Sequence, residues 1–302
     1  MHLEENLMRI HSALARIAFP AIAATLLAAP AVFAQGGTIC PQKQFSDIAA
    51  KPTVSGTPSA ATPLKPGEEA AYSAFFKLPS NEIDQRIQAG DDFVQKFPGG
   101  PYSEAVYSQL STAAYQKQDY AKMEAYADKA LALNPDDVTV LVFTGWVIPH
   151  ASNPAPASLE KAAKYEAHVL ELLPNLPKPA AMSDKEFAAA KSQYQSQAHS
   201  GLGLVAYRRN DLSVAASELR LATAGPTQAD PADLYILGTV LDRLARYSEA
   251  STAYHSCAAI PGAEQSVCRA KARAAKQNAS AAASSPVVTA SQVSAPGNSL
   301  PQ

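Results

Sequence analysis

One pattern recurs along the middle of this 302-residue chain and constrains its fold more than any other feature. Residues 104–135 contain an apolar segment of helical period, a short polar turn at residues 118–120, a second such segment and then a proline. A small residue recurs at the point where the two helices of such a hairpin would touch. These small residues are Ser111, Gly145, Gly203 and Gly238. Because one helical hairpin cannot bury its apolar face alone, the recurrence predicts a stack of hairpins.

The recurring unit resembles the tetratricopeptide repeat, in which a large residue is followed by Leu and a small residue three and four positions later. In the first clear unit these are Tyr107, Leu110 and Ser111, and Ala127 and Ala130 mark the contact positions of the second helix. The same frame returns at Leu141, Thr144 and Gly145; at His199, Leu202 and Gly203; and at Leu234, Leu237 and Gly238. Two features depart from the family pattern, namely Met123 at a position usually held by alanine and an expanded turn at residues 148–158.

The resemblance implies an all-α fold, an α-solenoid of stacked antiparallel helical hairpins with disordered termini. Abundant alanine and few runs of β-branched residues favour the same class. We predict a flexible linker at residues 35–67 and a disordered tail at 277–302, since both are rich in Ser, Pro, Thr and Ala and lack apolar periodicity. The repeat domain between them is predicted at residues 68–276. Its expected units are residues 68–101, 104–137, 138–176, 184–228 and 231–261, followed by a closing helix at 264–276.

The first 34 residues have the composition of a secretory signal peptide. Arg9 and Arg16 precede an apolar run that ends in Ala-Val-Phe-Ala, so cleavage after Ala34 would leave Gln35 as the new N-terminus. The alternative is a retained membrane anchor, although the run is short for a bilayer and contains two prolines. We therefore predict an exported protein, periplasmic in a Gram-negative bacterium, with no membrane span once the signal is removed.

Charge and motifs narrow the functional classes. The 25 basic and 27 acidic residues are interspersed, which is not typical of a nucleic-acid-binding protein. The sequence has no phosphate-binding Gly-rich loop, no His-Glu-x-x-His and no Gly-x-Ser-x-Gly motif. The histidines at 150, 168, 199 and 255 fall in different hairpins, so they do not predict a metal site. The sequence therefore predicts no catalytic residue, no metal and no cofactor, and the protein is interpreted as not being an enzyme.

The three cysteines suggest one disulfide. Cys257 lies on the second helix of the last unit, and Cys268 lies on the expected closing helix. The Ile-Pro-Gly turn between them would bring two antiparallel helices within disulfide reach, and export permits oxidation. The alternative is a pair of buried free thiols, because cysteine packs well in a core. Cys40 is left over and could be free or paired between chains.

The expected binding surface is the concave face, which the first helix of each repeat lines in the tetratricopeptide family. The candidate residues there are Tyr115, Gln116, Phe143, Trp146, Tyr207, Arg208, Tyr235, Asp242 and Arg243. Aromatic residues with arginine are typical of binding hot spots, although Phe143 and Trp146 fit core packing equally well. The favoured function is a scaffold or adaptor of the cell envelope that binds a protein or peptide partner. The alternative is a glycan- or cell-wall-binding module, or an accessory factor of a cell-wall enzyme.

Overall fold

The computed structural model describes residues 63–180, 182–225 and 229–284. Within those ranges the chain forms eleven α-helices, two short 3-10 segments and no β-strand. The helices are α1 (Glu68–Phe76), α2 (Ile83–Lys96), α3 (Ser103–Gln116), α4 (Tyr120–Leu133), α5 (Val138–Val147), α6 (Pro156–Leu172), α7 (Asp184–Arg208), α8 (Leu212–Thr223), α9 (Pro231–Arg243), α10 (Tyr247–Ala259) and α11 (Gln265–Ser284). The predicted signal peptide, nearly all of the predicted linker with Cys40, and residues 285–302 lie outside the described residues.

Consecutive helices pack as antiparallel hairpins, so the predicted all-α solenoid is confirmed. We call α3, α5, α7 and α9 the A helices and α4, α6, α8 and α10 the B helices; α11 packs against α10. Small residues lie where A and B helices meet. A Cβ atom at Gly203 would lie 2.7 Å from Leu219, and one at Gly238 would lie 2.6 Å from the Tyr254 ring. The repeated small residue thus allows the two helix backbones to approach.

In the hairpin of α3 and α4 the small residue is a serine, and it contacts the B helix through a hydrogen bond. Ser111 is buried, and its hydroxyl donates a hydrogen bond of 3.0 Å to the backbone oxygen of Met123 on α4. The Met123 side chain is 0% exposed and fills the space at a position where the family usually has alanine. The departure at Met123 is therefore accommodated within its own hairpin.

The turns between A and B helices are also alike in three hairpins. Gln118, Asn210 and Ala245 each adopt a left-handed conformation, with φ near 60°. In the hairpins of Gln118 and Asn210, an aspartate directly follows the left-handed residue and caps the B helix. Asp119 accepts a hydrogen bond from the backbone N–H of Lys122, and Asp211 accepts one from Val214. The short polar turn recognised in the sequence thus reverses the chain and starts the next helix.

One boundary differs from the sequence-based expectation. Helix α11 continues to Ser284, so residues 277–284, which we predicted to begin the disordered tail, are helical. Alanine is the strongest helix former, and this stretch reads Asn-Ala-Ser-Ala-Ala-Ala, so it extends the helix without burying a large side chain.

Among the described helices, none combines the length and the apolarity needed to cross a bilayer.

The closing helix is joined to the last hairpin by a covalent bond. The sulfur atoms of Cys257 on α10 and Cys268 on α11 form a disulfide, with their Cα atoms 5.9 Å apart. Both cysteines are fully buried, and the hydroxyl of Ser251 donates a 3.1 Å hydrogen bond to the backbone oxygen of Ala272 nearby. Helix α11 is therefore fixed on α10 both by the disulfide and by packing.

Candidate partner-binding surface

The nine predicted binding residues all lie on A helices, but their exposure differs. Phe143 is only 9% exposed and belongs to the core. The other aromatic residues and Asp242 are half-buried, whereas Gln116, Arg208 and Arg243 are exposed. Five of the nine contact a neighbouring A helix, namely Tyr115, Phe143, Trp146, Tyr207 and Arg243. We call the surface formed by these five residues the A-helix seam.

The seam begins with an aromatic contact between α3 and α5. The rings of Tyr115 and Phe143 lie 5.5 Å apart and almost perpendicular, a favourable edge-to-face geometry. Tyr115 also contacts Tyr120 on α4 at 6.3 Å. Because Phe143 is buried and Tyr115 is half-buried, this pair connects the core of the stack to its surface.

Between α5, α7 and α9 the seam is polar. The indole N–H of Trp146 donates a 3.2 Å hydrogen bond to the Ser200 hydroxyl. That hydroxyl donates in turn to a carboxylate oxygen of Asp233 at 2.7 Å. We call these three residues the polar ladder, because they connect three consecutive A helices. Burial, and secondarily the nearby Asp230 carboxylate, raises the pKa of Asp233 to about 7.

The sequence did not reveal two members of the polar ladder. Ser200 and Asp233 are both buried, and neither belongs to a recognisable motif. Asp233 lies in the first turn of α9, where an aspartate is ordinarily explained by the helix dipole. Only the register between neighbouring hairpins, which the repeat pattern leaves open, brings Asp233 to Ser200.

Arg208 holds the expanded turn between α5 and α6. Its guanidinium donates 2.8 Å hydrogen bonds to the backbone oxygens of Pro149 and Ala151. Between these residues, the His150 ring packs against Trp146 with ring centres 4.2 Å apart and planes tilted by 42°, and its Nδ1 lies 2.7 Å from the backbone oxygen of Trp146. Burial lowers the pKa of His150 to about 4, so the ring is neutral at pH 7. The inserted turn is therefore anchored to α7.

The last two A helices meet through Tyr207 and Arg243. The guanidinium of Arg243 lies 5.7 Å from the centre of the Tyr207 ring and donates a hydrogen bond to the side chain of Asn210. Tyr235 and Asp242 contact α10 instead. The Tyr235 ring lies 6.0 Å from that of Tyr254, whose hydroxyl lies 3.2 Å from an Asp242 carboxylate oxygen. Gln116 is exposed near the end of α3.

A buried acid on α6 was also missed. Glu166 is 0% exposed, and neither of its carboxylate oxygens has a hydrogen-bond partner among the described residues. It fills the space left by two glycines: a Cβ atom would lie 2.7 Å from its Oε1 at Gly145 and 2.5 Å from it at Gly201. Burial raises the pKa of this carboxyl well above its usual range. Burial therefore favours the neutral, protonated form of Glu166.

Comparisons with known proteins agree with this architecture. No protein-family model matches the sequence, and no relative is found among curated proteins. Among solved structures, PilW, described as a widely conserved type IV pilus biogenesis factor, superposes with a TM-score of 0.51 at 13% identity. The match covers 73% of this chain and 90% of that one.

Two further structures match less well. A MamA double mutant has a TM-score of 0.45 at 15% identity, over 65% of this chain and 94% of that one. A thermophilic tetratricopeptide-repeat protein of Thermus thermophilus has a TM-score of 0.43 at 13% identity, over 70% of this chain and 99% of that one. The stacked hairpins, their glycine contacts and their left-handed turns are the features that the repeat pattern predicts. The chain therefore has the fold of a tetratricopeptide-repeat protein.

Proposed function

We propose that this protein is a non-catalytic scaffold or adaptor of the bacterial cell envelope that binds a protein or peptide partner along the A-helix seam. One observation carries the proposal. Each of the four A helices carries at least one half-buried aromatic side chain among the predicted binding residues: Tyr115, Trp146 and Tyr207 in the seam, and Tyr235 on α9. Half-buried aromatic residues offer a large contact area at little cost in side-chain entropy, which is why they are enriched in binding hot spots.

The seam is also held rigidly before any partner binds. Trp146 is fixed by its hydrogen bond to Ser200, Tyr207 lies beneath Arg243, and Arg208 anchors the turn beside Trp146. Side chains that are already ordered lose little freedom on binding, so more of the contact energy becomes affinity. This pre-organisation supports recognition of an extended or helical peptide segment.

The envelope location is inferred from two features of the chain. Residues 1–34 have the composition of a secretory signal, and the Cys257–Cys268 disulfide is typical of an oxidising compartment. The intact mass of protein recovered from the envelope fraction tests this inference. A mass beginning at Gln35 supports export, and a mass that retains residues 17–34 contradicts cleavage.

A glycan- or cell-wall-binding role is the second candidate, because sugar rings stack on exposed tryptophan and tyrosine. Such stacking requires an open aromatic face. The His150 ring, 4.2 Å away, already occupies one face of Trp146. A protein partner that contacts ring edges and neighbouring polar atoms is therefore favoured over a sugar.

The test is a double variant, Trp146→Ala with Tyr207→Ala, used to capture partners from a crosslinked envelope fraction. Truncation of a hot-spot aromatic costs about 2 kcal/mol or more, so each substitution should weaken binding about thirtyfold. Leu221→Ala is the control, because Leu221 is an exposed apolar residue on the B helix α8. Folding of all three proteins is checked by circular dichroism. Wild-type capture of the same partners by a folded double variant would refute the assignment of the seam.

A further inference from the structure

The last described helix carries a group of cations unlike that of any other described helix. Arg269, Lys271, Arg273 and Lys276 lie within eight residues of α11, and all four are exposed. The sequence has no acidic residue between 265 and 302. Basic and acidic residues are interspersed over the rest of the chain, and α11 is a local exception.

Elsewhere in the described chain, several cations form ion pairs with carboxylates. Lys117 pairs with Asp84 at 2.6 Å, and Arg220 pairs with Glu249 at 2.7 Å. The four cations of α11 form no ion pair and no side-chain hydrogen bond with any described residue. This surface therefore carries about four positive charges that the rest of the described chain does not neutralise.

Three of the four cations share one side of the helix. At about 100° per residue, Arg269, Arg273 and Lys276 fall within about 60° of one another, and Lys271 falls on the opposite flank. The side that packs on α10 is formed by Cys268, Ala272 and Ala275. We call Arg269, Arg273 and Lys276 the basic stripe. It lies beside the buried face and not opposite to it.

The basic stripe does not serve the stability of its own helix. Like charges three and four residues apart repel and destabilise a helix. Helix α11 tolerates this because the disulfide at Cys268 and the buried alanines fix it on α10. A row of repelling cations on an anchored helix is stabilised when anionic groups are brought against it.

We propose that the basic stripe is a second docking surface, which binds an acidic segment of a partner protein. Helical carboxylates spaced four and three residues apart would match the spacing of the three cations. A lipid surface fits less well, because the large exposed apolar side chains of the described chain, Leu64, Leu133, Val214 and Leu221, all lie outside α11. A single-stranded nucleic acid fits less well because α11 has no aromatic residue on which bases could stack.

The test uses the full chain without its predicted signal and two fluorescent helical peptides, one with Glu at positions i, i+4 and i+7 and the other with Gln there. Binding is measured by fluorescence anisotropy at several salt concentrations. The Glu peptide should bind, the Gln peptide should bind at least tenfold more weakly, and affinity should fall as salt rises. The triple variant Arg269→Glu, Arg273→Glu, Lys276→Glu should lose at least tenfold in affinity for the Glu peptide.

The matched control uses two single variants that change the net charge equally. Arg273→Glu lies on the basic stripe and should weaken binding several-fold more than Lys271→Glu on the opposite flank. Equal effects of the two variants would overturn the proposal, because they would indicate attraction by net charge alone. Tighter binding to phosphatidylglycerol vesicles or to an oligothymidylate than to the Glu peptide would overturn it too. So would failure of the Glu peptide to bind at low salt.

Discussion

Replacing the buried acid Glu166 with methionine should stabilise the protein. The carboxyl group is fully buried without a partner among the described residues, and this burial favours its neutral, protonated form. An unsatisfied buried polar group costs about 1–3 kcal/mol. Methionine is also unbranched and of similar length, so its side chain can occupy the space beside Gly145 and Gly201. Glu166→Met should therefore raise the free energy of unfolding by about 1–3 kcal/mol.

The measurement is chemical denaturation with a parallel thermal melt. For a folded region of this size, each kcal/mol raises the melting temperature by about 2–4 °C. Glu166→Gln is the control, because it keeps the length and the unpaired polar atoms and should change stability by less than about 1 kcal/mol. If Glu166→Met instead destabilises the protein while Glu166→Gln does not, the polar end of this side chain has a partner that stabilises the fold. The reasoning from an unpaired carboxyl would then be refuted.

Three further predictions follow from buried contacts. Gly238→Leu should destabilise the protein by about 3 kcal/mol or more, because even a Cβ atom would lie 2.6 Å from the Tyr254 ring. A melting temperature within a degree or two of wild type would contradict the helix contact. An unfolded aspartate loses its proton near pH 4, whereas folded Asp233 loses it near pH 7. The free energy of unfolding should therefore fall as pH rises between those values. Asp233→Asn should reduce this pH dependence when denaturation is measured at several pH values. Replacing Cys257 and Cys268 together with alanine should cost about 2–3 kcal/mol in the same assay, since the bridge closes a loop of 11 residues, and an unchanged midpoint would show that the bridge is dispensable.

The sequence was sufficient for the fold because the features that define each hairpin are local. A small residue at Ser111 or Gly238 and a short polar turn specify how one A helix meets its own B helix. These contacts join residues fewer than about 20 positions apart, so a single repeat contains both partners. The end of α11 was misjudged because alanine-rich sequence without apolar periodicity resembles a polar tail, although its intrinsic helix propensity is high.

The surface could be predicted only in outline, because its chemistry depends on contacts between repeats. The sequence placed Trp146 on an A helix but could not show that it bonds Ser200, 54 residues away. Arg208 was predicted to face a partner, but the sequence could not show that it also contacts a turn 57 to 59 residues earlier. Such contacts are set by the register between hairpins and by the length of the insertion after α5. The repeat pattern specifies neither of these.

The seam therefore has two roles that mutagenesis must separate. Trp146 and Tyr207 contact the next A helix and Arg208 anchors the turn after α5, so a truncation there loosens the stack as well as altering the surface. The exposed cations of the basic stripe make no such contact with the described residues, and their charge can be reversed without removing a packing interaction. A partner that contacts both surfaces would bind more tightly than through either surface alone, because the second contact forms within the complex at a high effective concentration. If the seam variant and the stripe variant each lose capture of the same partner, the two surfaces bind one partner. If each variant loses a different partner, the surfaces bind two.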